Sequence, residues 1–300
     1  MIRRPIPGIS RSALWKSWKA IRTDLKRILS RDIVDFLEYD VDPDVWINRT
    51  LKRIEGGRYE PETPDRLKEG KSLGFSRTLT FPAIPDLVLY RAIADYLLGK
   101  ARPRQLAHVY FQRGDTARAD RARLRALGID PLTGRPKGNA GATTVATENR
   151  RNEPAPQMGP AAPESEAPIE GYGPPVTLSW FINFQLMNQY RAELILQAEP
   201  ERWFVITDIT NFFDSVLHDH VAEALREFRV PPRMIGLLLF LLERLAVRDE
   251  YAHSPAIGLP VDQLGGSRTL AHLVLFAHDD EVVPLVGEDC YVRWMDDHCL

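Results

Sequence analysis

Apolar positions first recur at helical spacing in RSALWKSWKAIRTDLKRILS, residues 11–30, where Trp15, Trp18, Ile21, Leu25 and Ile28 form one stripe with basic residues between them. The pattern predicts an amphipathic helix packed on the body of the protein, its tryptophans in the core rather than stacked on a ligand. DPDVWINRTLKRIEGG predicts a second helix, stopped at Gly56 and Gly57, and past Pro61 and Pro64 the pattern turns to strand. KSLGFSRTLTFPAIPDLVLYRAIADYLLG reads as a basic strand followed by a helix carrying Asp86 and Arg91. Two short apolar runs each end in acid: Asp208 closes the run in WFVITDITNFFDS, and Asp296 and Asp297 close the run in YVRWMDDHCL. Both runs read as buried strands. Period-two alternation sets Trp203, Val205 and Thr207 on one face of the first, and Phe204, Ile206 and Asp208 on the other.

Between these halves lies a different kind of sequence. Residues 115–176 include RRNEPAPQMGPAAPESEAPIEGYGPP, rich in Pro, Ala, Gly and Glu and poor in large apolar side chains, so it buries too little surface to fold by itself. It reads as an insertion, after which VTLSWFINFQLMNQYRAELILQ resumes a helical pattern. The organisation expected is a helical region at 1–70, a strand-and-helix region at 71–114 ending near Val109–Gly114, the insertion at 115–176 and a final α/β unit at 177–300. A chain of 300 residues can bury a sizeable core. No apolar run reaches membrane-spanning length and the N-terminus lacks the apolar core of a secretion signal, which makes the cytoplasm the expected compartment. Cys290 and Cys299 read as reduced core residues.

Charge sharpens the division. Residues 1–113 carry 22 Lys and Arg against 14 Asp and Glu and the remainder 17 against 27, so a front of net +8 adjoins a remainder of −10. A basic part suits phosphates and an acidic part suits metals, although a solvated helix face accounts for many single lysines and arginines. An ionised carboxylate at the end of a buried strand is costly unless a cation or hydrogen bonds compensate it. Carboxylate oxygens with room left for substrate phosphates are the donor set that Mg2+ uses in nucleotidyl transfer, so Asp208, Asp296 and Asp297 point to a polymerase palm. Other candidates are set aside: Asp279 and Asp280 follow a helical pattern and read as a solvated helix end, Asp214 as a cap or ion pair, and His218 and His220, two apart on a helix, share no metal-binding face.

With GLP at Gly258–Pro260, these motifs resemble those of reverse transcriptases, in which a first aspartate follows a strand and a second pair lies in a Tyr-x-Asp-Asp turn. TDITNFFDS and GLPVDQLGGSRTLAHLVL are most similar to the bacterial abortive-infection and defence-associated lineage; retroelement enzymes read closer to GxPQGxxxSP there. The resemblance runs discontinuously from about Lys71 to Leu300. It implies an α/β (α+β) right-hand polymerase fold, fingers and palm, the palm a ferredoxin-like antiparallel sheet with helices on one face. It implies RNA-directed DNA synthesis with two Mg2+ ions, Mn2+ serving as substitute, from deoxynucleoside triphosphates on an RNA template with a DNA or protein primer, a noncoding RNA as further partner, and a setting in antiviral defence. Asp208, Asp296 and Asp297 become the catalytic carboxylates, with the Ile209 carbonyl beside them on the metal. Lys71, Arg77, Phe213, Gly258, Leu259, Pro260 and Arg268 become nucleotide-binding residues, Phe213 by blocking the ribose 2′-OH, and Trp294 and Met295 form a platform for the primer end. Trp294 replaces the usual Tyr, and Val261-Asp262 replaces Gln-Gly, a departure that in related defence enzymes accompanies untemplated or protein-primed synthesis. A catalytically silent nucleic-acid-binding or assembly module is the alternative of a different class. The sequence stops three residues after Asp297, inside the expected return strand and before any thumb, which reads as a truncated chain of weak or no activity alone.

Overall fold

The computed structural model describes residues 5–25, 33–70, 76–101, 104, 106, 108–110, 187–188, 190–196, 203–246, 256–261 and 265–300. The expected insertion and Lys71 lie outside the described residues, as does the side chain of Arg77. What is described is an α+β arrangement: helices around one apolar core, with two small, largely antiparallel sheets. Among the described residues, no helix is long and apolar enough to cross a membrane.

Helix α1 (Arg11–Leu25) forms where the apolar stripe predicts it. The Ser10 hydroxyl accepts from the Ala13 amide at 3.1 Å to start it, and Leu14, Trp18, Ile21 and Leu25 are buried. Trp18 packs against Phe36 of α2 (Ile33–Val41) and edge-on against Trp46 of α3 (Pro43–Glu55). Trp15 is half-buried, its indole N–H donating to Asp44 at 2.6 Å. Neither tryptophan is a free stacking surface. Asp42 caps α3, Pro43 occupies its first turn, and Gly57 ends the segment at φ 64°.

The antiparallel hairpin β1 (Asp65–Gly70) and β2 (Ser76–Phe81) begins before the expected boundary at residue 71 and runs across it. It leads into α4 (Ile84–Ala101), whose buried residues lie all round its axis rather than in one stripe. Such a helix is an internal post: α1, α3 and two later helices pack on it. Asp86 inside it is 2% exposed, where it accepts from the Tyr59 hydroxyl and, at 2.8 Å, from the Glu62 amide. Burial pushes its pKa above the usual carboxylate range, the Tyr59 bond acting the other way.

The second sheet holds the two acidic motifs. Its order is β3 (Val109–Tyr110), β5 (Val292–Trp294), β6 (Asp297–Cys299), β4 (Ile206–Asp208), with β3 parallel to β5 and the other pairs antiparallel. Val109–Tyr110 therefore belongs to the sheet of the doublet rather than ending a separate region. The return strand starts within the doublet: β6 lies between β5 and β4, and Val205 and Leu300 exchange backbone bonds at 3.0 and 2.9 Å to extend the ladder. Helices α5 (His218–Glu227), α6 (Pro232–Leu245), α7 (Gly266–Val274) and α8 (Phe276–Val286) complete the unit.

Two expectations about this sheet need correction. The run ending at Asp208 is not buried: Trp203 is 89%, Val205 54% and Ile206 65% exposed. Among the described residues β4 is an edge strand three residues long, and only Phe204 of this run leans on the core. Helices also meet both faces of the sheet rather than one. Met187, Asn188 and Arg191 share a cavity of about 140 Å3 with Ile206, Val292, Asp297, His298 and Cys299, whereas α8 meets the side chain of Arg293, which alternation turns away from Val292, through Asp279, and the ring of His298 through His278.

Candidate active site

The site is built at the end of β4 and the tip of the β5–β6 hairpin. Register sets Asp208 opposite Asp297 and Trp294 opposite the same residue, leaving Met295 and Asp296 as the two-residue turn. Met295 takes a positive φ of 55°, uncommon outside glycine, and is held in the core at 4% exposure. The Ile209 amide donates to the Asp296 carbonyl at 3.3 Å, which ties the segment after β4 to the turn. Asn211, at φ 52°, then reverses the chain into the single helical turn Phe212–Ser215.

Asp208 and Asp296 line one cleft of about 340 Å3, together with Ile209, Phe213, Asp214, Val261, Ser267 and Arg268. Asp297 does not line it. It faces the smaller cavity on the flank, where burial and then the nearby Asp208 push its pKa above the usual carboxylate range, Arg191 acting the other way. Asp296 is pushed up to about 6, first by burial and then by the nearby Asp208 and Asp297 carboxylates. Among the described residues no cluster of three or more His, Cys, Asp or Glu side chains closes into a metal site. Mg2+ is characteristically held by one or two carboxylates plus substrate phosphates, and the crowded pair Asp208 and Asp296 fits that count and that hard-oxygen chemistry.

The other expected residues divide. Phe213 and Arg268 stand at the cleft, both half-buried, with Phe213 edge-on to Phe212 at 5.7 Å. Gly258, Leu259 and Pro260 do not line it; they are buried behind its wall. The Gly258 amide donates to the Val216 carbonyl at 2.8 Å and the Leu259 amide to the Phe213 carbonyl at 2.7 Å, so GLP straps the turn that carries Phe213. Gly258 has φ +91°, a conformation glycine alone adopts freely. Ser267 fastens the same strap, donating to the Pro260 carbonyl and sharing a 2.9 Å bond with Tyr90 of α4. The expected primer platform is also corrected: Trp294 is 8% and Met295 4% exposed, and both pack into the core rather than facing the cleft. Arg77 sits on β2 opposite Glu69, and Lys71 lies outside the described residues. The hairpin is tethered to the site where the Thr80 amide donates to the Val261 carbonyl at 3.1 Å.

The residues that hold the turn in place were not among those expected. Arg293, in the middle of β5, has a side chain with 0% exposure. Its Nε and Nη2 each donate to Asp279 of α8 at 2.6 Å, one to each carboxylate oxygen, and Nη1 donates to the Met295 carbonyl at 3.0 Å. Tyr291 adds its hydroxyl to Asp279 at 2.6 Å, and the His272 ring nitrogen lies 3.4 Å from Nη2. Burial, then the bond to Asp279, pushes the Tyr291 pKa upward. Asp279 is thus no solvated helix end: it is 1% exposed, whereas its neighbour Asp280 is exposed and pairs with Arg104. The signal was present in YVRWM, where one arginine interrupts an apolar strand and needs a buried acid to meet it. His218 is buried with its Nε2 2.9 Å from the Gly258 carbonyl.

Comparison with protein-family models gives no match, and comparison with curated proteins gives none either.

Proposed function

We propose that the protein is a nucleotidyltransferase of the polymerase kind, an RNA-directed DNA polymerase whose palm is the β3–β6 sheet and whose fingers include the β1–β2 hairpin. The observation that carries this reading is that Asp208 and Asp296, 88 positions apart in the sequence, line one cleft with Phe213 and Arg268. The motif resemblance supplies the choice of deoxynucleotides, RNA template and defence setting, and the expectation of a primer.

Asp208 and Asp296 would hold Mg2+, with the Ile209 carbonyl beside them and Asp297 as a more distant carboxylate. Bound there, the metal would lower the pKa of a primer 3′-hydroxyl and neutralise charge on the transferring phosphoryl group. The protein's own residues do the positioning. Arg268 offers a guanidinium to triphosphate oxygens. Phe213, fixed from behind by Leu259, sets a wall against which a ribose would lie. Arg293 holds the Met295 carbonyl and through it the orientation of Asp296.

Incorporation of labelled deoxynucleotides on a primed RNA template with Mg2+ tests the reading. Asp208→Ala and Asp296→Ala should each lower the rate roughly 1000-fold or more, the size of effect expected when charge stabilisation at the phosphoryl group is lost. Product complementary to the RNA excludes untemplated addition. Protein extended to its natural stop codon that is folded and binds RNA but makes no product refutes the polymerase reading and leaves the assembly-module alternative.

A further inference from the structure

A third concavity lies along α3 and the turn after it, and shares no lining residue with the cleft. It measures about 530 Å3 and is lined by Val45, Asn48, Arg49, Lys52, Arg53 and Arg58. All four cations are exposed, and among the described residues none of them forms a salt bridge. The acids nearby are bonded elsewhere: Asp44 to Arg11 and Trp15, and Asp86 to Tyr59 and the Glu62 amide, so that Asp86 reaches Arg53 only through space, and Glu55 does not line the groove. Four like charges around one hollow repel one another and concentrate counterions, and a hollow lined by one sign focuses its field. Arg49 and Arg53, one helical turn apart, stand ~6 Å apart along the axis, the order of one to two phosphate steps of a nucleic-acid strand. A flat bilayer fits a concave basic surface poorly, whereas a strand can lie along it.

We propose that this groove binds the phosphodiester backbone of a nucleic-acid strand, independently of sequence, as an anchoring site separate from the catalytic cleft. The choice of nucleic acid among polyanions rests on the proposed polymerase function. Backbone contacts position a strand without reading its bases.

The test is fluorescence anisotropy of a labelled 20-nucleotide oligouridine with the full chain, in EDTA and without nucleotides, across a salt series. The triple variant Arg49→Gln/Lys52→Gln/Arg58→Gln should reduce the slope of log K against log salt by about 2, at ~0.7 per single-strand phosphate contact. Extrapolated from equal binding at 1 M salt, that is about a 100-fold loss at 0.1 M. Each single Gln variant should give about a third of the slope change, which keeps the test open if the triple variant folds poorly. Three results overturn the proposal: an unchanged slope in the singles, an equal loss in an Arg226→Gln control on α5, or capture by phosphatidylserine vesicles with no oligouridine binding. If protein extended to its natural stop codon synthesises nothing yet the slope change stands, the polymerase reading falls and the groove remains.

Discussion

Removing Asp279 should destabilise the protein more than any single substitution at the cleft, although Asp279 touches no part of it. Its carboxylate accepts three bonds of 2.6 Å, two from Arg293 and one from Tyr291, and the two charged side chains are 0% and 1% exposed. At an effective dielectric of about 20, two unit charges at 4 Å attract by roughly 4 kcal/mol, and breaking a buried pair costs about 3–5 kcal/mol because the surviving charge stays buried. Asp279→Ala leaves Arg293 in that position, so a loss of about 3–5 kcal/mol is expected, against a typical total of about 5–15 kcal/mol for a domain. Arg293→Met frees the Met295 carbonyl as well and should cost a similar amount. The double variant Asp279→Ala/Arg293→Met removes both charges together and should cost no more than either single change. Urea unfolding of the four proteins, followed by tryptophan fluorescence, gives the coupling directly. A loss under about 1 kcal/mol in both singles, or a double variant that costs their sum, would refute the account of the buried bridge.

Asp296→Asn should behave in the opposite sense. Because the folded protein holds the Asp296 proton up to about pH 6 and an unfolded aspartate releases it near 3.8, stability is lost as pH rises through that window. Metal-free Asp296→Asn should therefore match the wild type near pH 4 and exceed it by about 1–2 kcal/mol at pH 8, the full ~3 kcal/mol of the shift being reduced by solvent screening; Mg2+ should stabilise the wild type and not the variant, and a variant less stable at pH 8 would contradict the crowded-carboxylate account. Gly258→Ala has room for its methyl group, the nearest atom being 3.7 Å away, so the expected loss of about 1–2 kcal/mol comes from φ alone. Thermal unfolding would show it, and a neutral result would mean that the strap does not need its left-handed glycine.

Local pattern determined a good part of this protein. The stripe through Trp18, Ile21 and Leu25 specified α1 and its buried face, Asp42–Pro43 and Gly56–Gly57 bracketed α3, and YVRWM specified a buried strand ending in the doublet. These features depend on neighbours within one or two turns, which the chain order itself supplies. Burial of the run before Asp208 was not of that kind. WFVIT alternates as a half-buried strand would, yet whether a face is covered depends on what packs against it, and among the described residues β4 lies at the sheet edge. The same physics separated Asp279 from Asp280: adjacent in sequence, they stand ~100° apart around a helix, so one meets Arg293 in the core and the other meets Arg104 at the surface. Tertiary structure alone also brought Asp208 to Asp296, left Asp297 on the flank, and made GLP a strap behind the cleft instead of its lining. A sequence names the charges that must be compensated; only the fold selects their partners, because those partners are distant along the chain and adjacent in space.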